Sequence, residues 1–173
     1  LPFGESFPSL YEISPQSGRF TPGDHLRPIP FGEYRISALI CYEDILPDFV
    51  RRSVQVAKPH LLVNVTNDAW FGDSQEPNVH LALARFRAVE HHRFLVRATN
   101  SGISAVIDPL GRSVTESELF ERRNLHADVA MMQSSTLYQS IGASPGWLLT
   151  LLAFVMAFRP RRKAGSRKEV EAA

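Results

Sequence analysis

Two short apolar segments separated by an amphipathic stretch constrain the fold of this chain more than any other feature. Tyr34–Ile40 and Leu61–Thr66 are rich in aliphatic and β-branched residues, and such runs are typical of buried parallel strands. Between them, residues 44–57 carry apolar side chains at helical spacing, and Pro47 suits the first turn of a helix. The order of strand, helix and strand predicts a βαβ unit.

The sequence on either side of this unit predicts a mixed sheet. Residues 1–33 are rich in proline and glycine, and we expect an irregular but ordered loop beside a site. A second helix is expected over 78–92, and the turn at 108–111 has the residue pattern of a type I turn. Further strands are expected over 94–99, 103–107, 112–115 and 125–130. The change from a βαβ unit to antiparallel hairpins predicts an α/β fold class with a mixed α+β sheet.

Cys41 is the only cysteine among the 173 residues, and it stands where the first predicted strand ends. A thiol at a sharp strand-to-helix turn has an accessible sulfur beside a helix N-terminus, and both features favour the reactive thiolate. A free cysteine is equally often a small buried apolar side chain without a chemical role. The residues around Cys41 leave the choice between a nucleophile and a core side chain open.

The composition argues against two kinds of ligand. The net charge is +1, so the chain has no excess of basic residues with which to neutralise a nucleic acid. The neighbouring histidines of the second predicted helix, His80, His91 and His92, include no pair at i and i+4, the spacing that chelates zinc on one face. We therefore expect no nucleic acid, no metal and no other cofactor.

The end of the chain has a different character. Residues 131–158 contain no charged side chain, whereas residues 159–163 are nearly all basic. The strongly apolar part is about a dozen residues long, which by itself is typical of a core helix, but the longer uncharged span and the basic cluster favour a membrane helix. We predict a linker over 131–140, a transmembrane helix over 141–158 and a basic cytoplasmic tail over 159–173.

Three motifs together resemble the nitrilase (carbon–nitrogen hydrolase) superfamily. They are Pro-Phe-Gly-Glu at 2–5, Ile-Cys-Tyr-Glu at 40–43 and the segment 97–111 that begins Arg-Ala-Thr-Asn-Ser-Gly. The motif Asn-Asp-Ala-Trp-Phe-Gly-Asp-Ser at 67–74 and the apolar C-terminal segment are similar to a membrane-bound branch that acylates bacterial lipoproteins. The resemblance implies that residues 1–130 are the C-terminal part of a catalytic domain with a partial αββα sandwich.

The resemblance also implies roles for particular side chains. Members of the superfamily use a Glu–Lys–Cys triad, and Cys41 matches the nucleophile. Glu5 and Glu43 match supporting glutamates. The implied substrate-binding residues are Tyr42, Asn67, Trp70 and Phe71, although the two aromatic residues after the strand suit a core position equally well. The general-base glutamate and the lysine have no counterpart in this sequence, so we expect a fragment that is inactive alone.

The implied reaction is an acyl transfer through a Cys41 thioester. The acyl donor would be a phospholipid, and the acceptor would be the N-terminal diacylglyceryl-cysteine of an apolipoprotein. The resemblance places such an enzyme in the bacterial inner membrane, with its catalytic domain on the periplasmic side. Two alternatives stay open: a soluble nitrilase-type amidase that hydrolyses a small amide, and an inactive membrane-anchored remnant that binds acyl chains or lipoproteins.

Overall fold

The computed structural model describes residues 23–158, together with Ser9 and Glu12. Within these residues, six strands form one sheet in the order in which they occur along the chain. They are β1 (Ile29–Phe31), β2 (Tyr34–Ile40), β3 (Leu61–Thr66), β4 (Leu95–Thr99), β5 (Ala105–Ile107) and β6 (Ser113–Glu116). β2, β3 and β4 run parallel to one another, and the remaining pairs are antiparallel. The predictions of a βαβ unit and of a mixed sheet are confirmed.

The helices lie between and after the strands. They are α1 (Pro47–Ala57), α2 (Glu76–His91), α3 (Leu137–Ile141) and α4 (Ser144–Ala157). A 3₁₀ segment, Cys41–Ile45, occupies the residues just before α1, so that helix begins later than the predicted residue 44. Pro47 begins α1 because the first N–H groups of a helix have no intrahelical acceptor. The strand-to-helix connection is therefore a tight turn of its own.

The core lies on one face of the sheet, under α1 and α2. Its members are Leu39, Leu62, Leu95, Ala105 and Ile107 from the strands, Val50, Val54, Leu81, Ala84 and Ala88 from the two helices, and Ile103. Both helices connect parallel strands in one direction along the sheet, so right-handed crossovers put them on the same face. Within the described residues, no helix packs on the opposite, open face, where Ile40 is 55% exposed and Val65 is 42% exposed.

Two strand predictions are wrong. Residues 125–130 form no strand, because their backbone joins no sheet ladder among the described residues. Leu125 and Val129 are half-buried and the three residues between them are exposed, which differs from the period of two that a half-buried strand shows. Conversely, Ile29–Phe31 was expected to be irregular but pairs with β2. A segment of three to six residues does not determine which strand it will pair with. Both predictions therefore failed because strand pairing depends on the tertiary structure.

The predicted transmembrane helix over 141–158 is interrupted. Gly142 has a φ of 55°, which separates α3 from α4, and α3 begins inside the predicted linker. α4 has 14 residues and a length of about 21 Å at 1.5 Å per residue, against about 30 Å of hydrocarbon. Within residues 23–158, none of the helices combines the length and the apolar content that crossing a bilayer requires. Residues 159–173, the predicted tail, lie outside the described residues.

Candidate active site

Cys41 is the first residue of the 3₁₀ segment that follows β2, and its side chain is half-buried. Its φ is 51°, in the left-handed region that a residue with a Cβ occupies at a cost of about 1–3 kcal/mol. The Glu43 carboxylate closes the turn by accepting a hydrogen bond of 2.7 Å from the Ile40 N–H. The Leu46 N–H donates to the Glu43 carbonyl at 3.2 Å. The thiol therefore stands on a sharp turn that other groups must hold.

Asn64 supports this turn from the neighbouring strand. It is fully buried on β3, and its Nδ2 donates to the Cys41 carbonyl at 2.9 Å and to the Leu39 carbonyl at 3.2 Å. Its Oδ1 accepts a hydrogen bond of 2.7 Å from Arg97. Both N–H groups and the oxygen of the amide thus have partners, which is what a buried amide requires. One side chain links the backbone of Cys41 to a buried guanidinium.

Arg97 is the centre of a buried ionic network beneath the turn. Its Nη1 donates to Asp44 Oδ2 at 2.8 Å, and its Nη2 donates to Asp68 Oδ2 at 2.9 Å. His80 lies between the same two carboxylates, with Nε2 2.9 Å from Asp44 Oδ1 and Nδ1 3.3 Å from Asp68 Oδ1. All four side chains are at most 1% exposed. Removing one partner of a buried ion pair typically lowers the free energy of unfolding by about 3–5 kcal/mol. The four side chains of this network therefore depend on one another.

The network also requires a glycine in the turn after β4. A Cβ placed on Gly102 would lie 2.1 Å from Asp68 Oδ2, well inside van der Waals contact. Asp68 occupies this position because Arg97 holds its other side. The absence of a side chain at Gly102 therefore makes room for the buried carboxylate.

Tyr42 packs on the same network. Its ring lies 4.5 Å from that of His80 and 5.8 Å from that of Phe71, and its hydroxyl donates to Glu76 Oε1. Burial, and then the hydrogen bond to Glu76, raises the pKa of the Tyr42 hydroxyl well above its usual value. Tyr42 therefore remains a neutral hydrogen-bond donor. The structure brings together Tyr42 and Phe71, two of the predicted substrate-binding residues.

The loops after β3 and β4 are joined by their amides. Asn67 Oδ1 accepts a hydrogen bond of 2.7 Å from Asn100 Nδ2, and Asn100 Oδ1 accepts one of 3.2 Å from the Asp68 N–H. Trp70 is 73% exposed on the first loop. Asn67 and Trp70 thus lie at the carboxyl edge of the parallel strands, where the Cys41 turn also lies. Their substrate-binding roles stay predictions, and Glu5 lies outside the described residues.

One group of side chains has the donor types of a metal site. Donor atoms of Asp68, Glu76 and His80 lie within 4.8 Å of one another. Arg97 and Tyr42 already bond the two carboxylates of this group. The cluster is explained by these hydrogen bonds without a cation, and the expectation that the protein uses no metal stays a prediction.

The ionic network around Arg97 was not predicted from the sequence. Asp44 was interpreted as a helix-start residue, and His80 was considered only as a zinc ligand. The available signal was a polar residue within an apolar strand: Asn64 among the aliphatic residues of β3 and Arg97 in β4. Such residues are buried at a cost unless they have partners, so their presence indicates a polar site inside the core.

Taken together, the geometry suits nucleophilic chemistry at the thiol. Cys41 is presented at the sheet edge where α/β proteins build their sites, and its backbone is fixed by Asn64 and Glu43. The Glu43 carboxylate is already bound to the Ile40 N–H, which gives it a supporting role in the turn. Within the described residues, the backbone of the Cys41 turn is held by hydrogen bonds, whereas no hydrogen bond to the thiol itself is found.

Residues 11–137 match the carbon-nitrogen hydrolase family. An apolipoprotein N-acyltransferase from Geobacter metallireducens is 36% identical over 165 residues, which cover 95% of this chain and 32% of the relative. The apolipoprotein N-acyltransferase of Bradyrhizobium diazoefficiens is 39% identical over 171 residues, which cover 93% of this chain and 31% of the relative. The chain therefore spans about a third of the length of these curated relatives.

A solved structure has the same fold. The carbon-nitrogen hydrolase from Helicobacter pylori G27 superimposes with a TM-score of 0.51, over 60% of this chain and 43% of its own. The sequence identity is 17%, so this similarity concerns the fold alone.

Proposed function

This chain belongs to the carbon-nitrogen hydrolase family, as its motifs predict, and we propose that it carries the nucleophile of an apolipoprotein N-acyltransferase. The proposal rests mainly on the position of Cys41. Its backbone has a left-handed conformation at the edge of the sheet, and hydrogen bonds from Asn64 and Glu43 hold this turn. The relatives named apolipoprotein N-acyltransferase, which match along nearly the whole chain, support this choice of reaction.

The proposed reaction has two steps. The Cys41 sulfur attacks the ester carbonyl of a phospholipid, the carbon–oxygen bond breaks, and the thiol proton passes through a general base to the leaving lysophospholipid. The α-amino group of a diacylglyceryl-cysteine then attacks the thioester. The carbon–sulfur bond breaks, an amide forms, and a proton returns to the sulfur. The resemblance assigns the base and the oxyanion-stabilising lysine to positions that have no match in these 173 residues.

The substrate-binding part of the proposal rests on the edge of the sheet. Tyr42 and Phe71 form an aromatic surface next to the Cys41 turn, and exposed Trp70 extends it. An apolar acyl chain suits such a surface better than a small amide does, because burial of each CH₂ group contributes about 0.8 kcal/mol. Asn67 is proposed to hold the loop that carries these aromatic residues, through its bond to Asn100.

The end of the chain supports attachment to the bacterial inner membrane. Every residue of α4 is exposed, and nine of the exposed large apolar side chains belong to α4 or follow it directly: Trp147, Leu148, Leu149, Leu151, Leu152, Phe154, Val155, Met156 and Phe158. The proposed orientation, with the catalytic domain on the periplasmic side, rests on the basic residues at 159–163, which the positive-inside rule assigns to the cytoplasm, and not on the length of α4.

The open face of the sheet supports the αββα arrangement implied by the resemblance. Ile40 and Val65 expose apolar surface on the face that none of the described helices covers. In a sandwich of two sheets, such a face packs against the second sheet, so the described residues would supply one helix layer and one sheet.

The proposal is tested on the protein at the full length that its gene encodes. It is incubated with phospholipid vesicles, and its mass is measured before and after treatment with neutral hydroxylamine, which cleaves thioesters. We expect one acyl adduct that hydroxylamine removes and that a diacylglyceryl lipopeptide accepts on its α-amino group. The variant C41S serves as the control, because its adduct would be an ester that hydroxylamine leaves intact under the same mild conditions.

Two outcomes would contradict the proposal. If the wild-type protein forms no adduct with phospholipid but hydrolyses small amides at Cys41, it is an amidase. If Cys41 forms no covalent intermediate with either substrate while the protein still binds lipopeptide, it is a non-catalytic binding protein.

A further inference from the structure

Asn64 has only one orientation that satisfies its neighbours. The guanidinium of Arg97 has donors and no acceptor, so the atom of Asn64 that faces it must be the oxygen. The Nδ2 of Asn64 must therefore face the carbonyls of Leu39 and Cys41, which accept its two hydrogen bonds. The orientation of this amide is thus determined by the charge on Arg97.

The sheet register explains why this arrangement reaches the nucleophile. Leu39 pairs with Asn64 across β2 and β3, and Asn64 pairs with Arg97 across β3 and β4. The three residues form one row on the helix-covered face, and Cys41 follows β2 just beyond this row. Arg97 is therefore two strands away from Cys41, and Asn64 is the side chain that connects them.

The backbone of Cys41 needs such support. A residue with a Cβ keeps a φ of 51° only when neighbouring groups hold it there. The Cys41 carbonyl is held by Asn64 on one side of the turn, and Glu43 holds the Ile40 N–H on the other. Rotation of the Cys41 backbone would break the first of these bonds and redirect the sulfur.

We propose that Asn64 and Arg97 are positioning residues for the Cys41 nucleophile. Arg97 orients the Asn64 amide, and the amide fixes the left-handed backbone that aims the sulfur toward the sheet edge. The same guanidinium holds Asp68, at the start of the loop that carries Trp70 and Phe71. The position of the thiol and the position of that loop therefore depend on one buried charge. The catalytic part of this inference rests on the proposed function.

The test replaces the Nδ2 atom of Asn64, which donates to the Cys41 carbonyl, with an oxygen. N64D has nearly the same shape as the wild-type side chain and keeps an acceptor for Arg97, but the carboxylate cannot donate to the Cys41 carbonyl. The rate of thioester formation at saturating phospholipid is expected to fall about tenfold or more, with the half-saturating phospholipid concentration within about twofold. Hydrogen exchange of the amides in residues 40–46 is expected to become about tenfold faster.

The matched control is S53A. Ser53 makes a buried hydrogen bond of 2.7 Å to Ser37 on β2, the strand that leads into Cys41, and this bond is separate from those of Asn64 and Arg97. S53A is expected to lower the overall stability while it leaves thioester formation and the exchange of residues 40–46 at wild-type rates. If N64D does not fold, N64L is used in the same comparison, because it is apolar and similar in size.

The outcomes separate the inference from the proposed function. Unchanged exchange of residues 40–46 in N64D, or equal loosening of this turn in S53A, would overturn the inference. A wild-type protein that forms no thioester would contradict the proposed function, and the exchange comparison would still decide whether Asn64 holds the turn. If N64D raises the half-saturating phospholipid concentration and leaves the saturating rate of thioester formation unchanged, Asn64 acts in substrate binding. That result would overturn the inference that Asn64 positions the nucleophile.

Discussion

At Cys41 the backbone takes a conformation that glycine usually supplies, and the protein stabilises it with hydrogen bonds from two directions. Asn64 bonds the Cys41 carbonyl, and Glu43 bonds the preceding N–H. Nucleophiles on strained turns are exposed because the side chain projects away from both flanking elements. These two hydrogen bonds therefore hold the half-buried Cys41 side chain on the turn that follows the apolar strand.

Gly102 gives a prediction at the residue scale. G102A places a methyl group 2.1 Å from Asp68 Oδ2, so either the carboxylate moves or the turn does. We expect a loss of about 1–3 kcal/mol in the free energy of unfolding, the usual cost of overpacking a core. Equilibrium unfolding in urea measures this loss.

The matched control for this substitution is G146A. An added Cβ at Gly146 has no neighbour within 4 Å, and this residue lies in α4. Its urea midpoint is expected to stay at or slightly above that of the wild type, because alanine favours helix more than glycine does. Equal losses in the two variants would contradict the packing argument at Gly102.

At the scale of elements, α2 connects two regions of the molecule. Its N-terminal half supplies Glu76 and His80 to the site. Its last turn carries His91, which is fully buried and whose ring stacks edge-on against that of Tyr138 of α3 at 5.8 Å. The helix therefore joins the active-site network to the segment that leads toward α4.

His91 gives a prediction about pH. Burial, and then the positive charges of Arg87, Arg93 and Arg51, lowers the pKa of His91 from 6.5 to about 3. The unfolded chain takes up a proton near pH 6.5 while the folded chain does not until about pH 3. Stability is therefore fully present above about pH 6.5 and falls as the pH drops toward 3, by at most about 1.4 kcal/mol per unit from this group.

The variant H91F tests this assignment. It keeps an aromatic ring against Tyr138 but cannot be protonated, so the loss of stability between pH 7 and pH 5 in urea unfolding should be smaller than in the wild type. H126F removes an exposed histidine and should keep the wild-type slope. If H91F loses as much stability as the wild type between pH 7 and pH 5, groups other than His91 cause the loss of stability at acid pH.

At the scale of the whole molecule, two apolar surfaces remain uncovered in the described residues. One is the open face of the sheet, and the other is α4 with its exposed aliphatic and aromatic side chains. Exposed apolar patches of this kind mark protein or membrane contacts. The proposed function assigns the first to a second sheet and the second to the membrane.

The assignment of α4 predicts an effect on membrane association. The double variant L148E/L152E places two charges on the helix, and burying a charge in a bilayer costs about 2.5–3.5 kcal/mol at the least. We expect the wild-type chain to float with phospholipid vesicles in a density gradient and the variant to remain at the bottom. F86E changes an exposed residue of α2 and should float like the wild type. Flotation of the double variant would contradict membrane binding through α4.

The elements that depend on a local pattern of residues were predictable before the structure was known. The β2 and β3 strands have their predicted bounds, because a short apolar run between turn residues leaves few alternatives. The motif around Cys41 also identified the family and placed the thiol at a strand end. Such features are encoded within a few neighbouring residues.

Contacts between residues far apart in the chain could not be predicted in this way, because they depend on which elements become neighbours in the folded protein. Arg97 lies 33 residues beyond Asn64 and 29 residues beyond Asp68 along the chain, and the register of the parallel strands brings it to both of them beneath Cys41. The partner of Ile29–Phe31 and the break at Gly142 were decided in the same way, by pairing and by backbone geometry. A buried charge signals that partners exist, but their identity depends on which strands become neighbours, because a hydrogen bond acts over about 3 Å in space and not along the sequence.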